Sequence, residues 1–60
     1  MPLTRIASEL AELHREEIAL LAALLAEGAV DEDEAAELRA RISLHERGLR
    51  ACTERLEAGA

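Results

Sequence analysis

The sequence predicts an all-α protein: an antiparallel two-helix hairpin that dimerises into a four-helix bundle. Three observations predict it. Apolar residues recur three and four apart over two long stretches, the spacing of one face of a helix. A glycine and an acidic run, Gly28 to Glu34, separate the stretches. And the chain lacks the means to stand alone: it has 60 residues, no Phe, Trp or Tyr, and one cysteine. A chain of this size buries roughly 60% of its unfolded surface. Small scaffolds then need a disulfide, a metal or a partner. A lone Cys52 gives neither an internal disulfide nor a thiol cluster for zinc, so oligomerisation is the remaining route.

Residues 1–60 form a single domain. The first helix is expected over about residues 4–27. Thr4 can cap it, and nothing before Gly28 breaks it. Gly28 suits the left-handed position just past a helix end. The turn covers 28–32, and the second helix runs over about 33–57. It opens on DEDE at 31–34, with Asp31 as N-cap and Glu34 completing an acidic capping box. These acids also suit the positive end of the helix dipole. The AGA at 58–60 is expected to fray. Gly48 is a weak point inside the helix, costing about 1 kcal/mol relative to Ala. Glu37–Arg41 and Glu46–Arg50 are i,i+4 pairs in the favourable orientation. So short a connection makes the helices antiparallel neighbours.

Heptad spacing is the strongest signal. Positions 3, 6, 10, 13, 17, 20, 24 and 27 hold Leu, Ile, Leu, Leu, Glu, Leu, Leu, Glu. Positions 35, 38, 42, 45, 49, 52 and 56 hold Ala, Leu, Ile, His, Leu, Cys, Leu. Both read as a/d seams. Folding the chain at 29–32 pairs positions whose numbers sum to 62, so Leu20 meets Ile42 and Leu13 meets Leu49. The same rule brings Glu17, the polar exception in the middle of the first seam, to His45, the polar exception in the second. The expected Glu17–His45 layer has two readings. One is register fixation, the best-attested use of a polar layer; the other is a proton-linked switch or ligand site.

A second stripe on the first helix, positions 7, 11, 14, 18, 21 and 25, holds Ala, Ala, His, Ile, Leu, Leu. Off its seam the second helix offers only Leu44 among large aliphatics. If the seams pair as described, Ala11, His14, Ile18, Leu21 and Leu25 are left facing water, and contiguous apolar surface of that kind marks an interaction site. The expected occupant is a second copy, closing a four-helix bundle with twofold symmetry. A helix of another protein is the alternative. A rotation that hides both stripes inside one hairpin is the third arrangement.

Other chemistry is weakly represented. The net charge is −6, with seven arginines and no lysine, which argues against a nucleic-acid or anionic-membrane surface. The start, MPLTRIASEL, lacks a basic segment followed by an apolar core. The longest apolar run, IALLAALLA at 18–26, is too short for a membrane span. A cytoplasmic location is therefore the expectation. Glu-x-x-His, the carboxylate-bundle metal motif, is absent: Ala11 precedes His14 by three and Ile42 precedes His45 by three. In a dimer, two Glu17 and two His45 could still hold zinc. His45 is two turns from Cys52, out of reach for a nucleophile–base pair. There is no glycine-rich phosphate loop and no aromatic for base stacking. The expectation is a non-enzymatic interaction module for assembly, adaptor or chaperone-like work, with no catalytic residue, cofactor or metal. A bundle binding a metal or small ligand through Glu17 and His45 is the alternative.

Three short resemblances point to hairpins. LLAEGAVDEDEAAELRARI at 24–42 resembles the SHOCT helical hairpin motif, though Ala35 or Ala36 stands where that motif carries an aromatic. LAEGA at 25–29 resembles the turn of the small co-chaperones of type III secretion needle subunits, which implies binding to a larger helical chaperone. LRACTERL at 49–56 is similar to the second helix of Rop-type RNA-binding hairpins, which dimerise into four-helix bundles. This chain has Leu10, His14, Ile18 and Leu25 where that family uses basic, polar and aromatic residues, so RNA binding is not implied.

Overall fold

The computed structural model describes residues 3–59. Met1, Pro2, Ala60 and the side chain of Leu3 lie outside the described residues, and with them the expected seam place of Leu3 and the fraying of Ala60. Two helices, α1 (Leu3–Glu27) and α2 (Glu32–Ala58), form a helical hairpin 42 Å long and 14 Å across. No strand occurs among the described residues.

The turn follows its sequence signals. Gly28 has φ +70°, and its N–H donates to the Leu25 carbonyl at 3.1 Å. No other residue tolerates that backbone as well, because a Cβ would crowd the neighbouring carbonyl. Asp31 is extended, and its Oδ1 accepts the Glu34 N–H at 2.8 Å, satisfying one orphan donor of α2. Glu32, Asp33 and Glu34 crowd the positive end of α2, and Arg55 sits in its last turn. The α2 helix runs through Ala58, and the Gly59 N–H closes it on the Arg55 carbonyl at 3.0 Å. Thr4 is not a cap, because α1 already includes Leu3. Its methyl instead lies against Gly59, where a Cβ would stand 2.7 Å away. Glu37–Arg41 forms at 3.0 Å. Glu46–Arg50 does not form among the described residues, whereas Arg5–Glu9 does, at 3.5 Å.

The packed face of α2 is the expected seam: Cys52 is buried, and Ala35, Leu38, Ile42, His45, Leu49 and Leu56 are half-buried. The packed face of α1 is not. The helix turns its second stripe inward: Ala7, Ala11 and Leu21 are buried, and His14, Ile18 and Leu25 are half-buried. Two of the expected roles therefore change. Ala11, His14, Ile18, Leu21 and Leu25, expected to bind a partner, instead hold α1 against α2. Glu17, expected to pair with His45, is exposed. The reason is electrostatic and steric. The expected seam would take the Glu17 carboxylate out of water, at a cost its stripe-mates do not repay. The second stripe carries no acid, and its alanines let the backbones close in. Ala7 and Ala11 pack with Cys52, flanked by Leu49 and Leu56.

Candidate interaction face

With the second stripe turned inward, the large aliphatics of the first are left outside. Ile6, Leu10, Leu13, Leu20 and Leu24 are all exposed, Leu13 to 56% and Leu20 to 61%. No large side chain among the described residues is fully buried. Among the leucines with described side chains, Leu10, Leu13, Leu20, Leu24 and Leu44 are exposed and Leu21 alone is buried.

The exposed stripe shares its face with part of α2. One groove, about 330 Å³, lies near the turn between Leu24 on α1 and Glu34, Glu37 and Arg41 on α2, floored by Leu38. Another, about 180 Å³, lies near the chain ends between Ile6 and Leu10 on α1 and Ala51 and Arg55 on α2, floored by Cys52. On α2 the banks are residues 34, 37, 41, 51 and 55. Leu44, 61% exposed, continues the same three-and-four spacing between them. One broad side of the hairpin is therefore apolar along α1, with Glu17 as its interior acid, while its α2 edge carries Glu34, Glu37, Arg41 and Arg55 around Leu44 and Ala51. By the same spacing the opposite side carries Ser8, Glu12 and Arg15 on α1 and Arg39, Glu46 and Arg50 on α2, all exposed.

The polar layer is built from two histidines. His14 Nδ1 and His45 Nδ1 are 2.9 Å apart, both rings half-buried. Their centroids are 5.2 Å apart and the rings tilt by 55°. That centroid separation is about as long as the rings allow at this contact, so the two nitrogens point at each other. One Nδ1–H donates and the other Nδ1 accepts through its lone pair, which makes the accepting ring neutral. Nitrogens aimed head-on share a proton; a metal would need both lone pairs to converge on a third point. Gly48 makes room for the pair, because a Cβ there would stand 2.6 Å from His14 Nε2. The signals for this layer were in the sequence: the acid-free stripe containing His14, and a glycine inside α2 that helix propensity alone would have replaced.

Glu17 and His45, expected to act together, are thus on different surfaces. No group of three or more His, Cys, Asp or Glu side chains placed to hold a metal occurs among the described residues. No helix among them is long and apolar enough to cross a membrane. No family model matches the chain, and neither a curated protein nor a solved structure matches it.

Proposed function

We propose that this chain is a non-enzymatic helix–helix association module, an antiparallel hairpin that self-associates through its apolar side into a four-helix bundle. The observation that carries the reading is the inverted distribution of aliphatics: five on α1 and Leu44 on α2 are exposed, while among the described residues the only buried ones are Ala7, Ala11, Leu21 and Cys52. Hydrophobic surface left in water costs roughly 25 cal/mol per Å², and a hairpin this thin cannot recover that by itself. The whole hairpin is 42 Å long and 14 Å wide, so one side of it offers somewhat less than the roughly 800 Å² that each partner buries in a standard interface.

A second copy fits this face better than a foreign helix does. A single added helix would cover one groove line and leave the stripe and Leu44 partly wet. A second hairpin covers both helices at once. Assembly, adaptor or chaperone-like work would then be done by the outer, charged sides of the bundle.

Light scattering on the purified protein, with far-UV circular dichroism at the same concentrations, tests the reading. A helical dimer is expected, and Leu20→Glu should convert it to a less helical monomer. A wild-type monomer that stays fully helical on dilution would sink the proposal, because the apolar side would then need no cover.

A further inference from the structure

We infer that the His14–His45 contact is a proton-operated latch, holding α1 to α2 while at most one ring is charged and releasing the middle of the hairpin when acid charges both.

The latch follows from counting protons. Each ring has two nitrogens, so the pair has four places for a proton. With Nδ1 facing Nδ1 at 2.9 Å, one Nδ1 must be bare to accept the other's proton. The pair therefore carries two or three protons, and a charge of zero or +1. A fourth proton sets two N–H groups head to head, each on a cation, and the rings must part. Both rings are half-buried, so water can deliver that proton without prior unfolding.

Nothing beside the pair is placed to hold a second charge. Among the residues one turn from either ring, only Glu17 on α1 and Arg41 on α2 are charged. Both are exposed and opposite in sign, and Arg41 is held by Glu37 at 3.0 Å. Arg15 and Glu46, each next in sequence to a histidine, are also exposed and opposite in sign. Had Glu17 been the companion of His45, a proton would have tightened the layer. With His14 in that place the sign is reversed.

The place of the pair gives the latch its leverage. It lies at the middle of both helices, which run Leu3–Glu27 and Glu32–Ala58. Toward the chain ends Ala7 and Ala11 pack with Cys52, and toward the turn Leu21 is buried. Parting the rings splits the seam between these two packed ends. Free histidine titrates near about pH 6.5. Below that, the unfolded chain holds one proton more than the latched hairpin. Stability therefore falls as pH falls, by up to about tenfold in the folding constant per pH unit. The fall ends once the contact is given up, about tenfold in all, the net worth of one hydrogen bond.

His14→Asn tests this. An amide can donate to a bare Nδ1 or accept from a protonated one, so it holds His45 in either charge state. Urea denaturation of the wild type and of His14→Asn is compared at about pH 7.5 and about pH 5.5, on either side of the histidine range. Protein concentration and ionic strength are held constant. Every carboxylate is common to both proteins, so their titration cancels. The expected result is a wild-type folding constant that falls at least about threefold further than that of His14→Asn. Equal falls would overturn the inference, and so would a wild type that gains stability in acid. If His14→Asn does not fold, nitrogen NMR of the wild-type imidazoles at the higher pH decides. One Nδ1–H between the two rings is expected. Both rings in the Nε2–H form would leave no proton to share and overturn the inference.

Discussion

Gly48 lies under the ring of His14, so close that a Cβ at 48 would stand 2.6 Å from Nε2 and 2.7 Å from Cε1. The glycine inside α2 therefore belongs to the hydrogen-bonded histidine layer on its other side. Gly48→Ala would ordinarily stabilise a helix by about 1 kcal/mol. Here it should destabilise, because the ring must leave its place against His45. In a His14→Ala background the sign should reverse. A four-protein urea-denaturation cycle measures this, and additive effects of the two changes would contradict the contact.

Leu20 and Leu21 are neighbours in sequence with opposite fates, 61% and 7% exposed. Leu21→Ala should cost about 2–3 kcal/mol through the cavity it leaves between the helices. Leu20→Ala should leave that packing alone and show its loss as weaker association. Dilution series followed by circular dichroism separate the two effects. An equal, concentration-independent loss from both would mean that Leu20 covers nothing.

Glu17 is the acid in the interior of the apolar side. Glu17→Leu removes a carboxylate that the proposed dimer must hold among aliphatic side chains. The dissociation constant should fall by about tenfold, equivalent to about 1.4 kcal/mol. Sedimentation equilibrium checks it. A rise would place Glu17 in a favourable contact across the interface.

Asp31 holds the Glu34 N–H at 2.8 Å. Asp31→Ala should lower stability by about 1 kcal/mol, and Asp31→Asn should restore most of it. Thermal melts at one protein concentration suffice. Equal losses from both substitutions would assign the effect to charge at the helix end rather than to the cap.

Much of the architecture was legible because it depends on local chemistry. Gly28 needs its left-handed backbone wherever the helices go, and Asp31 caps the next turn whatever α2 packs against. The inward face of α2 was legible because it has only one apolar stripe to offer. On α1 the sequence offers two, and periodicity alone cannot rank them. Counting large aliphatics favours the stripe with Leu10, Leu13, Leu20 and Leu24. The structure follows a different criterion, in which the stripe free of carboxylate and rich in alanine goes inside. The partner face and the polar layer were misplaced together for that single reason. His45 was expected to pair with Glu17; in the structure its partner is His14, one turn away from Glu17.

The contact between Thr4 and Gly59 makes the hairpin nearly a closed loop. A linker of a few residues could bridge the two positions, and the open turn at Gly28, where a Cβ would meet nothing within 4 Å, could then be cut. The order in which the two helices are connected is therefore a matter of covalent convenience: a permuted chain with α2 first would present the same two sides, one charged and one apolar.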